Sequence, residues 1–270
     1  FSANPNMLTL EFSIIRNNLA SANTGHFRLY NLNQNTRDAI FKDYLTISDF
    51  RSIRLRAGYQ SDPVLPIVFD GNLKSVVSYR ADGEVNFITE IDAYDFGFVM
   101  ANCYSSWNTS ELPDCTKRQV IEKLTGDLIY TRNGAEMSVP VGGISAFVGS
   151  HPRGRVIMGN TWEELRRQTD NHCYIDNGKV YCLEDDDCVG GDIIEIASGS
   201  GLLGVPRRYE NMIKAEILFE PRLVVGQQVS INSLSQSRFN GTYKVTGIAH
   251  QGVISDSVNS KCKTILSIVL

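Results

Sequence analysis

The chain has 270 residues, of which 42% are hydrophobic and 21% are charged, and its 26 basic and 30 acidic residues give a net charge of −4. This length holds one large β domain or two to three small ones, and the composition is ordinary for a globular protein. The net charge argues against a protein that binds nucleic acid by neutralising phosphates. No apolar run approaches the ~18 residues of a membrane span, so we expect no membrane insertion.

The first third of the chain has the pattern of short antiparallel strands. The segment 8-LTLEFSI-14 alternates apolar and polar residues, which is typical of a strand with one buried face. We predict six strands, at residues 8–15, 26–32, 51–58, 64–69, 72–79 and 85–93. Turn dipeptides separate them, namely Asn4-Pro5, Thr24-Gly25, Ala57-Gly58, Asp70-Gly71 and Asp82-Gly83. This succession predicts a β-barrel or a β-sandwich.

The segment 26-HFRLYNLNQNTRDAI-40 changes from a strand pattern to a helix pattern. A short helix is predicted from Thr36 to Ile40, with Asn35, or Thr36 as the second choice, as its N-cap residue. The side chains of Asn31 and Asn33 are predicted to bond backbone groups of the corner. We interpret this corner as structural.

Two helices and a hairpin are predicted in the middle of the chain. The first helix runs from Thr116 to about Thr125. The second begins at Thr161, where 161-TWEE-164 has the form of a capping box. Asn177-Gly178 is a strong hairpin signal, because a type I′ turn needs a positive φ at both central residues.

The hairpin brings together two of the six cysteines. With a two-residue turn, Cys173 faces Cys182 at a non-hydrogen-bonded position, where Cα atoms lie about 4.5 Å apart. A cross-strand disulfide is feasible there, although the pattern favours a reduced, apolar pair. A zinc site made of His172, Cys173, Cys182 and Cys188 lacks the C-x-x-C spacing of a zinc knuckle.

The last part of the chain repeats features of the first. The segments 68-VFDGNLKSV-76 and 238-RFNGTYKVT-246 match at a constant offset of 170 residues, which aligns Phe69 with Phe239 and Gly71 with Gly241. An alternating strand precedes each copy and a closing strand follows it (53-IRLRAG-58 and 226-GQQVSI-231; 87-FITEIDA-93 and 262-CKTILSI-268). Because four elements recur in the same order, the chain is predicted to contain two related β domains.

Motifs of catalysis and of cofactor binding are absent from the sequence. It contains no G-x-S-x-G elbow, no P-loop and no H-E-x-x-H. The run 199-GSGLLGVP-206 includes G-x-G-x-x-G, but its strand-rich surroundings favour a structural loop over a phosphate site. The run 184-EDDD-187 lacks the glycine and the final glutamate of a calcium loop. We therefore predict no catalytic, cofactor-binding or metal-binding residues.

None of the four histidines has a nucleophile or a carboxylate at a sequence spacing typical of a catalytic pair. They are His26, His151, His172 and His250. His250 with Asp256 is the one pair that proximity in the sequence suggests. A hydrogen-bonded structural histidine is the commoner arrangement. A carboxylate pair for glycoside hydrolysis leaves no signature in the sequence, and nothing favours one.

Five features in order resemble one known family. They are the alternating first strand with "HFRLYNLNQNTRDAI", "LRAGY" with "IVFDGNLKSV", the helix "TWEELRRQT", "GLLGVPRRYE", and "ILFEPRLVVGQQVSI" with "FNGTYKVTGIAHQG". This succession resembles the baseplate hub proteins of contractile-tailed bacteriophages, which are related to the hub domains of type VI secretion spikes. The resemblance covers the chain from about residue 8 to residue 268.

The resemblance implies a mainly β fold with two tube-like antiparallel β-barrel domains, at residues 1–95 and 190–270, and a smaller mixed α/β region at residues 96–189. It implies a non-enzymatic homotrimer that joins the sixfold tail tube to the threefold membrane-piercing spike. The implied partners are the tail tube protein, the spike protein, other baseplate proteins and the tape measure protein. DNA would pass through a central channel without specific binding. The implied location is the tail baseplate of the virion, after assembly in the host cytoplasm.

Three other functions remain open at this stage. A tail-tube subunit has the same barrel, but only once per chain, and assembles as a hexamer. A tail-tip cell-wall hydrolase needs a carboxylate or a Cys/His site. A carbohydrate-binding sandwich needs Trp107 or Trp162 at the surface.

Overall fold

A computed structural model describes residues 8–43, 51–80, 82–83, 85–111, 115–132, 135–150, 154–255 and 261–269. The strands in these ranges are β1 (Leu10–Asn17), β2 (Thr24–Tyr30), β3 (Ser52–Arg56), β4 (Ile67–Arg80), β5 (Phe87–Tyr94), β6 (Tyr104–Asn108), β7 (Ile129–Arg132), β8 (Ala135–Ser138), β9 (Val141–Ile144), β10 (Val156–Asn160), β11 (Cys173–Asp176), β12 (Lys179–Cys182), β13 (Val189–Ala197), β14 (Leu202–Tyr209), β15 (Met212–Leu218), β16 (Gln227–Asn232), β17 (Gly241–Ile254) and β18 (Lys261–Val269). The helices are α1 (Gln34–Ile40), α2 (Gly97–Asn102), α3 (Lys117–Gly126) and α4 (Thr161–Gln168), with 3₁₀ turns at Thr109–Glu111 and Ser237–Phe239.

One eleven-stranded sheet dominates the molecule. Its strands follow the order β14-β15-β18-β17-β1-β2-β5-β4-β3, and β16 and β13 attach beside β17. Three smaller sheets pair β6 with β10, pair β7 with β8, and place β12 between β11 and β9. The mainly β class is therefore confirmed. Closed barrels are not confirmed, because the strand order of the described residues runs from one edge to the other without closing.

The large sheet contains the same five-stranded arrangement twice. In the first unit, β1 to β5 lie in the order β1-β2-β5-β4-β3; in the second unit, β14 to β18 lie in the order β14-β15-β18-β17-β16. Equivalent strands have matching lengths, with eight residues in β1 and β14, seven in β2 and β15, and fourteen in β4 and β17. The repeat predicted from the sequence thus corresponds to a repeated strand topology.

The equivalent residues of the two units differ from those aligned in the sequence. The β4–β5 ladder has a bulge between Leu73 and Ser75, and the β17–β18 ladder has one between Val245 and Gly247. When the two bulges are superposed, Leu73 aligns with Val245, so the structural offset is 172 residues instead of the 170 found in the sequence. Similar residue types at Asp70-Gly71 and Asn240-Gly241 produced a sequence match that is close to the structural one without coinciding with it.

The predicted turn at Asp70-Gly71 is wrong, because β4 runs through both residues. A Cβ at Gly71 would collide with the carbonyl group of Tyr94 and lie 3.0 Å from Asp95 Cα. The glycine therefore allows the backbones of β4 and of the segment at Tyr94 and Asp95 to approach each other closely. Such a close approach of two backbones is a common reason for a glycine within a strand.

The first turns of two helices differ from the prediction. The N-cap of α1 is Asn33, whose side chain accepts from the backbone N–H of Thr36, so neither Asn35 nor Thr36 is the cap. The N-cap of α4 is Asn160, which accepts from the backbone N–H of Glu163, so the capping box at Thr161 is also wrong. In contrast, the predicted start of the first middle helix is close to the observed one: α3 begins at Lys117, and Thr116 is its N-cap and forms a capping box with Gln119.

Each unit has its own apolar core. The core of the first unit includes Phe12, Ile14, Phe27, Val68, Phe69, Val76 and Ile91. The core of the second unit includes Val225, Val229, Ile231, Val245, Ile248, Leu266 and Ile268. The middle unit, which contains α2 to α4 and β6 to β12, packs around Val99, Ile121, Leu124, Leu128, Trp162, Leu165, Ile175 and Val180. No helix of the described residues is long and apolar enough to cross a membrane.

Candidate functional site: a concave sheet face and a three-unit junction

One face of the large sheet is open, and its residues follow from strand alternation. In β1, Phe12 and Ile14 are buried in the first core, so Glu11, Ser13 and Ile15 lie on the opposite face. The residues paired with them in β2 and β17 continue this face across both units. This face therefore extends over strands of both units and can contact other molecules.

Opposite charges compensate one another across the open face. Arg28 Nε donates to Glu90 Oε1 at 2.7 Å, and its guanidinium lies 3.9 Å from Glu11. His26 Nδ1 lies 2.8 Å from Asp92 Oδ1. In the second unit, Lys263 Nζ lies 3.5 Å from Glu216. These exposed cross-strand pairs contribute little stability, but they place a carboxylate beside each of Arg28, His26 and Lys263.

The open face is concave. A groove of about 720 Å³ crosses it, and its lining combines Phe12, Gly252 and Cys262 with residues of the open face, namely Glu11, Ser13, His26, Arg28, Leu203, Gln251, Val253, Lys261 and Lys263. Leu203 belongs to β14 and His26 to β2, and four other strands lie between these two in the sheet. Their side chains border one groove because the sheet curves.

A buried ion pair joins the three units at the other face. Arg16 of β1 donates from Nε and Nη2 to the two carboxylate oxygens of Asp176, at 2.6 and 2.7 Å, and neither side chain is exposed to solvent. Arg16 Nη2 also donates to the carbonyl of Leu223 in the second unit. Burial alone lowers the pKa of Arg16, but the charge and hydrogen bonds of Asp176 outweigh it and raise the pKa. Arg16 therefore stays charged and fixes the Asn177-Gly178 hairpin between the two sheet units.

Asp95 holds the tip of the same hairpin. Its carboxylate accepts from the backbone N–H of Asn177 at 2.6 Å and of Gly178 at 3.0 Å. Burial and, to a lesser extent, the nearby Asp176 raise the pKa of Asp95 while the two N–H donors oppose the shift, and the resulting pKa is about 8. Asn177 and Gly178 both have positive φ, as the predicted type I′ turn requires.

His250 is a buried structural residue. Its Nδ1 lies 2.9 Å from the hydroxyl of Thr264, and its ring packs edge-on against Phe219. Burial and, to a lesser extent, the positive charge of Arg16 together lower its pKa to about 3. Asp256, the partner suggested by the sequence, and His151 lie outside the described residues.

The remaining sequence candidates are dispersed. Cys173 and Cys182 face each other as predicted; both are free thiols, and burial raises the pKa of each. His172 Nε2 lies 3.3 Å from Asp185 of the acidic run, well exposed to solvent. In the ranges that the structure covers, no three His, Cys, Asp or Glu residues are placed to share a metal ion.

Two other predicted features also have structural positions. The run 199-GSGLLGVP-206 forms a turn and enters β14, so no helix N-terminus follows it to hold a phosphate. Trp162 is buried and donates from Nε1 to the carbonyl of Ala20. Trp107 is partly buried and donates to Asp127, with the ammonium of Lys123 over its ring. Neither tryptophan is arranged as an open platform for a sugar.

The sequence interpretation missed the junction of Arg16, Asp95 and Asp176. One signal was present: Arg16 follows Phe12 and Ile14 at the even spacing of a buried strand face. A charged residue on such a face requires a buried partner. The partner could not be identified, because Asp176 lies 160 residues further along the chain.

Comparison with known proteins identifies the class of this fold. Residues 153–257, less than half of the chain, match the family model described as baseplate hub gp41. No curated protein matches the chain. The 43 kDa tail protein of prophage MuSo2 from Shewanella oneidensis is similar with a TM-score of 0.59 and 11% identity, over 98% of this chain and 96% of that one.

Two further solved structures have the same fold. The tail protein from Neisseria meningitidis MC58 is similar with a TM-score of 0.59 and 8% identity, over 97% of this chain and 96% of that one. The E. coli c3393 protein gives a TM-score of 0.60 and 7% identity, over 97% of this chain and 73% of that one. That protein is described as a type VI secretion component with structural similarity to the T4 tail proteins gp27 and gp5.

The fold is thus that of phage tail proteins and related secretion components. The chain resembles phage baseplate hub proteins in particular. The resemblance to this family that the sequence indicated is therefore confirmed.

Proposed function

We propose that this protein is the structural, non-enzymatic hub of a phage contractile tail, and that it acts as a trimer between the sixfold tail tube and the threefold spike. The observation that carries the proposal is the twofold occurrence of one five-stranded unit within a single chain. Three chains then present six similar units around one axis. A threefold spike and a sixfold tube can each meet such a ring with matching symmetry.

The proposed domains of the chain correspond to the three apolar cores. The tube-like domains are residues 1–95 and 190–270, and the mixed region at residues 96–189 packs beside them through the hairpin held by Arg16 and Asp95. The pairing of β1 with β17 supports a rigid relation between the tube-like domains, because eight consecutive residue pairs join them into one sheet.

We assign the concave face to the wall of the DNA channel. Its curvature suits the inside of a ring, and its compensated charges suit a surface that DNA must pass without binding. Phosphate neutralisation needs unpaired basic side chains, whereas Arg28 already lies between two glutamates. The proposed partners are the tail tube protein, the spike protein, other baseplate proteins and the tape measure protein. The proposed location is the virion baseplate, after assembly in the host cytoplasm.

The mass of the purified protein in solution tests the trimer. Light scattering should give about 90 kDa, three times the chain mass of 30.0 kDa. A stable particle of six chains would support the tail-tube alternative instead. A monomer at every concentration tested would contradict both. A cell-wall clearing assay on the same sample should show no activity, and clearing would contradict the non-enzymatic role.

A further inference from the structure

The end of the first five-stranded unit holds the tip of the β11–β12 hairpin of the middle unit. The side chain of Asn23, in the β1–β2 connection, donates to the carbonyl of Ile175 in β11 at 2.8 Å. Asp95, directly after β5, binds the two N–H groups of the hairpin tip. Arg16 of β1 pairs with Asp176 of the same hairpin. The first unit therefore binds this hairpin through its backbone and through one carboxylate.

The bulges of the two ladders locate the corresponding end of the second unit. They align Leu73 of β4 with Val245 of β17. The ladder partners of these residues, Ala93 of β5 and Ile268 of β18, then correspond as well. The strands β5 and β18 are therefore aligned residue by residue at the end where the first unit holds the hairpin.

The alignment extends to the hairpin formed by the first two strands of each unit. On their other side, the two corresponding residues of β5 and β18 pair with Gly25 of β2 and with Ile213 of β15. Asn211, two residues before Ile213, therefore takes the position of Asn23. Arg208 pairs with Ile213 and lies on β14, the strand that corresponds to β1. The second unit thus has an asparagine and an arginine at the end that corresponds to the hairpin site.

This end of the second unit has an open groove of about 430 Å³. Its floor is apolar, since Phe239 and Tyr243 are buried there beside Ile268. Arg208 and Asn211 line the groove and are exposed to solvent. The position that a hairpin occupies in the first unit is therefore accessible in the second.

The groove carries two arginines that have no carboxylate partner among the described residues. Arg208 Nε donates to the backbone carbonyl of Glu210 at 3.3 Å. The guanidinium of Arg238 lies 4.8 Å from the centre of the Phe239 ring. On a chain with a net charge of −4, this local positive charge favours an acidic occupant.

We propose that this groove binds an acidic β-turn of a separate partner protein, as the first unit binds the hairpin of its own chain. A carboxylate of the turn pairs with Arg208 and Arg238. Asn211 donates to a carbonyl of the turn, as Asn23 does within the chain. An apolar side chain beside the turn covers Met212, which lines the groove and is 39% exposed. This inference rests on the repeated unit and does not depend on the proposed trimer.

Binding of a labelled hairpin peptide tests the groove. The peptide 174-YIDNGKVY-181 carries the acidic turn that the first unit binds, and a D-Pro-Gly link joins its ends into a closed hairpin. Fluorescence anisotropy with the full chain should show saturable binding with a Kd below about 1 mM. A peptide with Asp176→Asn should bind at least about tenfold more weakly, because it lacks the carboxylate.

Charge reversal in the protein identifies the surface. Arg208→Glu with Arg238→Glu should weaken binding of the unmodified peptide by at least about tenfold. This variant should bind a peptide with Asp176→Lys more tightly than the unmodified protein does. Arg207→Glu with Lys214→Glu is the matched control, because it changes the net charge equally on β14 and β15 at positions that do not line the groove. The control should leave the affinity for both peptides unchanged.

The outcomes separate the possible occupants. No saturable binding, or an equal loss of affinity in the control variant, overturns the proposal. Light scattering shows whether Arg208→Glu with Arg238→Glu changes the mass of the protein in solution. A lower mass than that of the unmodified protein would mean that a second copy of this chain fills the groove, and it would overturn a separate partner. An unchanged mass together with charge-dependent binding supports the proposal, whether that mass is a trimer or not.

Discussion

Arg16 is the residue on which the relation of the three units depends most directly. Its guanidinium is fully buried, and its partners come from the middle unit and from the second unit. The desolvation of a buried pair offsets much of the attraction between its charges, but removing one partner leaves the other charge buried and unpaired. The cost of a substitution therefore depends on whether one partner or both are replaced.

Arg16→Met should lower the free energy of unfolding by about 3–5 kcal/mol, because it leaves the carboxylate of Asp176 without its counter-charge. Urea unfolding measures this change. The double substitution Arg16→Met with Asp176→Leu should recover part of the loss, since neither charge then remains.

Arg118→Met is the matched control for this substitution. Arg118 forms an exposed pair with Glu122 on α3, and its replacement should cost less than about 1 kcal/mol. Equal losses for Arg16→Met and Arg118→Met would contradict the role assigned to the buried pair.

Asp95 should make stability depend on pH. Its pKa is about 8 in the folded protein and near its ordinary value of 3.8 in the unfolded chain. Between these values the folded state holds a proton that the unfolded state has lost, so this group lowers stability as the pH rises from about 4 to 8. The stability of the protein relative to an Asp95→Asn variant should therefore fall over that range and level off above it.

Urea unfolding of both proteins at several pH values measures this difference. A difference that rises with pH would show that Asp95 is ionised in the folded protein at acidic pH. That result would mean that its two N–H donors and Arg16 outweigh its burial.

At the scale of single elements, Gly71 in β4 is the clearest case of a wrong prediction, because the sequence indicated a turn and the structure has a continuous strand there. Gly71→Ala should destabilise the first unit by about 1–3 kcal/mol or more, because the added Cβ collides with the backbone of Tyr94 in β5. Gly190→Ala is the control, since a Cβ there meets nothing within 4 Å. Thermal unfolding should separate the two variants, and equal melting temperatures would contradict the close approach.

The alternating strands were the elements that the sequence predicted best. β1, β2 and β5 lie close to their predicted ranges, because each buries one face and exposes the other. β4 was divided in two, since an Asp-Gly pair is a turn signal when only neighbouring residues are considered. The caps of α1 and α4 were misplaced by one or two residues because several polar residues in a row can each serve as a cap.

For the whole molecule, the sequence indicated the repeat but not how its copies are joined. Recurrence of four elements predicted two related domains, and the strand order contains one five-stranded unit twice. The β1–β17 pairing that joins the units connects residues more than 200 positions apart, as Leu10 with Ile254. Local patterns carry no information about such pairs. The curvature of the open face, on which the proposed channel depends, arises only from the assembled sheet.

The charge compensation on the concave face predicts how the protein meets DNA. Glu11→Gln with Glu90→Gln should raise the affinity for duplex DNA, because Arg28 would lose both carboxylate partners. The logarithmic salt dependence should become steeper by about 0.9 for each phosphate that the freed side chain contacts. Fluorescence anisotropy with a labelled duplex at several salt concentrations measures both effects.

Glu122→Gln with Glu163→Gln is the control for this prediction. It changes the net charge by the same amount on α3 and α4, away from the concave face. An equal gain in affinity for both double variants would show that overall charge controls DNA binding. It would contradict the proposal that the paired charges of the concave face prevent DNA binding.

Averaged electron-microscope images of the purified particle, viewed down its axis, test the central claim most directly. We expect a closed ring of three chains with six similar lobes around an open centre, since each chain supplies two copies of the five-stranded unit. A ring with three lobes, or a particle without rotational symmetry, would contradict the account.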